Sequence, residues 1–337
     1  MDSITHIALG GLLGEVFLGK QLGKRAMVLG AIAQSLPDID FVASAWLDVP
    51  HDLLAHRGFT HSFLFVVLIS PVLATSARRW LKNSRIGFTH WMLFFAAQLM
   101  VHLLIDSLNA YGTGWLEPFS PKRFSFHTLF VADPFYTTWL LIVFIVLVIL
   151  RRTSKFRIKW AIAGLTLSSV YLVYAFTNKY NVDRDTLRIL NKQRLSYQRY
   201  FTTPTPLNSW LWFIVAEDQH GYYVGHRSVF DKEDFIEFHY FPRNDSLLTT
   251  LRDRKDLELL LRFSQGYYTV EQRKDTLVFN DLRFGQRMGG TDPDAKFVFQ
   301  YYLTFPDENK LVVQRGRFAG WSTATIEKMY QRIGANW

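Results

Sequence analysis

Long apolar runs separated by clusters of basic residues constrain this chain more than any other feature. Six such runs can be marked in its first half, at about residues 4–19, 26–46, 62–80, 88–108, 135–150 and 158–177. The fifth, "FYTTWLLIVFIVLVIL", has no charged residue. Runs of this length and composition bury themselves in lipid or in an unusually large helical core.

The charges between the runs favour lipid. Lys20, Lys24 and Arg25 lie between the first and second runs, Arg78, Arg79, Lys82 and Arg85 between the third and fourth, and Arg151, Arg152, Lys155, Arg157 and Lys159 between the fifth and sixth. Basic residues concentrate on the cytoplasmic side of membrane proteins, so three basic collars in alternate loops belong on one face. The expected fold is an α-helical integral membrane bundle of about six spans, residues 1–177, followed by a C-terminal α+β, β-rich soluble domain, residues 178–337. The expected location is the cytoplasmic (inner) membrane. The N-terminus, the loops 41–61 and 107–134 and the C-terminal domain then lie outside, in a periplasmic or extracellular space.

The 337 residues carry a net charge of +9, about +6 of it in the first half (15 basic against 9 acidic residues). Much of it flanks apolar runs, and no nucleic-acid motif accompanies it, so no nucleic-acid partner is expected. The chain has no cysteine. Disulfides, thiolate metal sites and cysteine nucleophiles are thereby excluded, and any metal must be held by histidine, carboxylate or main-chain oxygen. Neither a G-x-S-x-G elbow nor a phosphate-binding glycine loop occurs.

Ionisable residues inside apolar runs are costly and mostly functional. Here His6 opens the first run and Asp38 and Asp40 sit in "SLPDID". "HRGFTHS", with His56, Arg57 and His61, precedes the third run, and His102 and Asp106 lie near the end of the fourth. Counted back from the basic collars at 1.5 Å per helical residue, His6, Asp38, His61 and His102 lie roughly 20–26 Å away, at a similar height. His102 and Asp106, four residues apart, share a helix face. Mixed imidazole and carboxylate sets suit divalent metals, and their number leaves room for two ions. His90, beside a basic collar, reads as interfacial, and Glu15 has no assigned role. Lys122 and Arg123 suit either phosphate binding or anchoring at the membrane interface, and His127 and Asp133 are second-rank ligand candidates. His220, His226 and His239 read as surface or structural residues.

"THIALGG", "LPDID", "HRGFTHS" and "HLLIDSLNAYGT" together resemble the membrane-bound metal-dependent hydrolases, also described as LexA-binding, inner-membrane-associated hydrolases. The resemblance covers about residues 1–135. It implies metal ligation by His6, Asp38, Asp40, His56, His61, His102 and Asp106. The His-x3-Asp helix is distantly similar to that of zinc-dependent phospholipase C and P1-type nucleases, which makes zinc the expected ion, with two or more ions accommodated. Arg57 and Asp40 are the expected catalytic residues, and Arg57, Arg123 and Asn109 the expected substrate-binding set. A membrane lipid or lipid-linked phosphoester is the expected substrate. The alternative is a non-enzymatic metal-binding membrane protein, a sensor or scaffold, acting through its outer domain.

Overall fold

A computed structural model describes residues 1–251, 254–287, 295–305 and 322–334. It divides into two compact units. One comprises residues 1–45, 55–126 and 131–174; the other comprises residues 46–54, 127–130 and 175–337.

The first unit is helical. Helix α1 (Ser3–Leu22) is capped by Asp2, whose carboxylate accepts the Thr5 N–H at 3.0 Å. Gly23, at φ 59°, turns the chain into α2 (Lys24–Ser35). The two helices pack with almost no side chain between them. A Cβ on Gly10 or Gly30 would overlap the facing main-chain oxygen of the other, and one on Gly14 would overlap that of Ala26. Pro37 then ends the α-helical ladder, and Pro37–Ala45 continues as a 3-10 helix bent by 54° from α2. Helix α3 (Val49–Ala55), which belongs to the second unit up to Leu54, and a 3-10 turn (Phe59–His61) lead to Ser62, which caps α4 (Phe63–Trp80). Helix α5 (Phe88–Asp106) returns beside α4, and Phe65, Val66, Leu99 and Leu103 fill the seam. After a loop come α6 (Pro134–Ile149), capped by Asp133, and α7 (Arg157–Lys192).

The span count is lower than the sequence suggests. Among the described residues, three helices are long and apolar enough to cross a membrane: α4, α5 and α7. A fourth span is reached only if α2 and its bent continuation count as one. Helix α6 has 16 residues, about 24 Å of helix against a hydrocarbon core of about 30 Å. Helix α1 dilutes its apolar residues with glycines, His6 and Glu15.

Helix α7 continues past the sixth apolar run, 158–177, into the charged residues that follow it. It runs unbroken for 36 residues, with Arg157–Tyr174 in the first unit and Ala175–Lys192 in the second. The strand β1 (Arg199–Pro204) follows soon after. It pairs antiparallel with β2 (Leu211–Glu217), then β3 (Gly221–Ser228) and β4 (His239–Pro242), in the order β1-β2-β3-β4. After α8 (Lys255–Phe263), a second antiparallel sheet is built from β5 (Tyr268–Arg273), β6 (Thr276–Gln286) and β7 (Phe297–Tyr302). Phe201, Phe213 and Tyr222 from the first sheet join Tyr267, Leu282 and Phe297 in one core. Helix α9 (Thr323–Ile333) packs Met329 and Ile333 on Leu211. This C-terminal β-sheet domain agrees with the alternation and turn residues of the sequence.

Candidate metal centre

Asp38, His61, His102 and Asp106 meet inside the first unit, each offering one ligand atom, with all four atoms within 4.8 Å of one another. The local structure explains the convergence. Pro37 bends the chain and carries Asp38 inward. Ser62 starts α4 immediately after His61. The α5 spacing of His102 and Asp106 places both on one face. His61 Nε2 lies 3.5 Å from Asp38 Oδ1, 3.3 Å from Asp106 Oδ2 and 3.0 Å from His102 Nε2. His102 Nε2 lies 3.6 Å from Asp38 Oδ1 and 3.7 Å from Asp106 Oδ2. A tetrahedral ion with bonds of about 2.0–2.1 Å separates its ligands by about 3.3–3.4 Å. The cluster therefore has the size and donor types of a site that could bind a metal ion.

The groups behind the ligands orient them. His102 donates through Nδ1 to the Gln34 main-chain oxygen at 2.5 Å, which leaves Nε2 with its lone pair toward the centre. His61 Nδ1 lies 3.3 Å from Asp40 Oδ2 and 3.0 Å from Thr60 Oγ1, so a carboxylate backs this imidazole too. Burial opposes a charge on His61, but Asp106, Asp38 and Asp40 outweigh it and push the imidazole up to about 10. Asp106 Oδ2 is buried and makes no hydrogen bond beyond its ion pairs with Arg57 and His61, which leaves it a lone pair for a cation.

Around the four lie the other residues expected from sequence. His6 Nε2 is 3.1 Å from Asp106 Oδ1, its ring stacked on His102 at 4.0 Å, and the Met1 main-chain nitrogen contacts the same carboxylate. Asp40 accepts from the Arg57 N–H at 2.8 Å and from the Thr60 hydroxyl at 3.0 Å, and pairs with His56 Nδ1 at 3.0 Å. Neither Asp40 nor His56 belongs to the four-residue cluster. Arg57, expected to clamp substrate, turns inward. It is buried, lies 3.1 Å from Asp106 Oδ2, donates to the Asp106 main-chain oxygen and to Asn109 Oδ1, and covers the Tyr111 ring. Arg123 donates to the His56 and Gly112 carbonyls, which ties the 107–126 loop to "HRGFTHS". Asp133 caps α6 and accepts from the Tyr171 hydroxyl, and His127 packs on Phe201 in the second unit. These second-rank candidates lie outside the cluster.

Sequence reasoning missed two features. The Gln34 carbonyl has no side-chain signal. Glu15, left unassigned, forms a buried ion pair with Arg157, Oε1 to Nε 2.9 Å and Oε2 to Nη2 2.7 Å. The lone acid of α1 and the basic collar before α7 were its only trace.

Residues 1–182 match the YdjM inner membrane protein family, over half of the chain, and the chain belongs to that family. It is 33% identical to the inner membrane protein YbcI of Escherichia coli over 123 residues, 36% of this chain and 69% of that one. It is 26% identical to a Bacillus subtilis protein, the uncharacterized protein YfhP, over 84% of this chain and 87% of that one. No solved structure matches it.

Proposed function

We propose that this inner-membrane family member is a metal-dependent hydrolase, acting on a phosphoester in a phospholipid or lipid-linked substrate. The observation that carries the reading is the convergence of two imidazole nitrogens and two carboxylate oxygens on one point at the ends of α4 and α5, each imidazole held in ligand orientation from behind. Zinc suits that mixed set. A bound ion would polarise a phosphoryl oxygen and make a water nucleophilic near neutral pH.

The chain's own groups then divide the remaining work. Asp38, 24% exposed, forms the open edge of an otherwise fully buried cluster, so substrate approaches from its side. His56 is also partly exposed, and Asp40 fixes its Nδ1, which leaves the other ring nitrogen for proton transfer at the mouth. Arg57 holds Asp106 in place, and Arg123 holds the loop that carries His56.

The fold supports an outward-facing centre. It lies at the start of α4 and the end of α5, opposite the basic residues Arg78, Arg79, Lys82 and Arg85. The C-terminal domain then lies outside provided that the 16-residue α6 also crosses, the bilayer thinning to match it, so that α7 starts among its basic residues on the inner side. A reporter fused after residue 337 should read extracytoplasmic, and a cytoplasmic signal overturns the orientation.

One observation favours a non-catalytic reading. Four protein donors already complete a tetrahedral set, as structural zinc sites do. Turnover of phospholipid and lipid-linked pyrophosphate by the metal-loaded protein decides. Hydrolysis abolished by Asp38→Ala supports the enzyme, and a metal-loaded protein without turnover supports a sensor or scaffold.

A further inference from the structure

The bent segment after α2 has two unlike sides. Asp38 and Asp40 both turn toward His61, Asp38 on its Nε2 side and Asp40 on its Nδ1 side, whereas Ile39 between them and Phe41 and Val42 after them are exposed. Exposed large apolar residues recur beside it. Phe59 sits in the 3-10 turn next to His61, and Leu116 and Phe119 sit on the loop that follows α5. That loop is rigidly tied to the centre. Gly114 donates to the Arg57 carbonyl at 2.8 Å, Phe63 donates to the Trp115 carbonyl at 3.0 Å, and Thr113 and Phe124 form an isolated bridge. Trp115 stacks on Phe124 beneath it. Its tip presents Phe119, 81% exposed, and the exposed Lys122 sits over the Phe124 ring.

An ordered loop holding a phenylalanine in water gains nothing from doing so, and six such residues on segments tied to the open edge of one centre need a common partner. The spans identify it. Helix α4 begins two residues after His61, and α5 ends at Asp106, so the opening sits where two candidate spans leave the hydrocarbon. Aromatic and apolar side chains with a neighbouring lysine are the composition of the headgroup layer at that depth. The 54° bend turns Pro37–Ala45 off the α2 axis, as a segment lying along the interface requires.

We propose that Pro37–Ala45 and the loop 114–126 form a collar seated in the headgroup layer of the protein's own bilayer, so that the centre takes an amphiphile directly from the membrane plane. Only the last clause rests on the hydrolytic reading above.

The absence of cysteine allows a single nitroxide label at Phe119→Cys, with Phe41→Cys as a second position and Lys232→Cys, an exposed residue of the second unit, as the aqueous control. In vesicles of phosphatidylcholine and phosphatidylglycerol, labels at 119 and 41 are expected to be relaxed more by oxygen, which concentrates in lipid, than by a water-soluble nickel chelate. The label at 232 should show the reverse. Nickel-dominated relaxation at 119 and 41, matching the control, overturns the collar. For the substrate clause, Phe119→Asp should lower turnover of long-chain phospholipid in vesicles by about tenfold, the scale of one lost buried aromatic ring, and leave a water-soluble short-chain analogue unaffected. Equal losses on both overturn membrane-plane delivery. Wild-type protein inert toward both overturns the hydrolytic reading alone, because the nitroxide result needs no turnover.

Discussion

His102 donates through Nδ1 to the main-chain oxygen of Gln34 at 2.5 Å, and its Nε2 lies 3.0 Å from His61 Nε2. One residue of α5 is thus locked by α2 and aimed at a residue of the loop before α4. A metal centre built this way depends on both its ligands and their supports. The paired variant His102→Ala, Asp106→Ala should purify with background metal where the wild type retains about one ion or more per chain. Equal metal content in the two, read by elemental analysis, would remove these residues from the site. Arg57→Ala, which deprives Asp106 of its guanidinium, should weaken metal retention by about 10–100-fold, as loss of a supporting group does elsewhere.

The buried pair of Glu15 and Arg157 joins α1 to the start of α7. Arg157 also donates to the Leu147 and Leu150 carbonyls, so it closes the end of α6 as well. Replacing one member strands the other in a poorly solvated place, at a cost of about 3–5 kcal/mol. Arg157→Met should be the worse single change, because it also orphans two carbonyls. The double variant Glu15→Gln, Arg157→Met should recover part of the loss. A double-mutant cycle from unfolding in detergent measures this, and strict additivity would show that the pair is not coupled.

The contact of Gly10 with Gly30 sets how closely α1 approaches α2, and hence where Gln34 and His6 stand. A side chain at position 30 meets main chain, which cannot rotate away. Gly30→Val should cost about 1–3 kcal/mol of stability, the usual penalty of overpacking. It should also reduce bound metal, although residue 30 touches no ligand. Normal metal content with normal thermal stability would show that the helices separate without disturbing the centre.

The centre was more legible in the sequence than the membrane topology. Asp38, His61, His102 and Asp106 announce themselves because charged and imidazole groups inside apolar runs are expensive, and similar distances from the basic collars put Asp38, His61 and His102 at a similar depth. Arg57 is less legible for a related reason. A motif shows that an arginine is needed, but whether its guanidinium faces substrate or the Asp106 carboxylate depends on a fold the motif does not contain. Hydropathy counts apolar residues without knowing where hydrogen-bond ladders break. It therefore merges α2 with the segment beyond Pro37 and takes no account of α6 having only 16 residues. The unbroken α7 was hidden by its composition, which changes from apolar to charged midway while the helix continues.

His127 gives the second unit a dependence on pH. Its Nδ1 is buried without a hydrogen-bond partner, and its ring lies 4.9 Å from that of Phe201. Burial, then the charges of Lys179 and Arg283, hold the imidazole well below its ordinary range. Folded His127 therefore stays neutral at a pH where the unfolded chain takes up a proton. The resulting stability is complete above about pH 6.5 and is lost as the pH falls below it, by up to about 1.4 kcal/mol per unit. His226, lowered to about 3 by burial, Arg332 and His239, acts with the same sign. Urea unfolding at about pH 7 and pH 5, followed by protease cleavage within residues 199–286, should show the loss. His127 has φ 48°, a left-handed conformation that asparagine tolerates well. His127→Asn should therefore fold and lose about half of the pH dependence, leaving the share that belongs to His226. An unchanged pH slope in that variant would show that His127 is protonated in the folded protein as readily as in the unfolded chain.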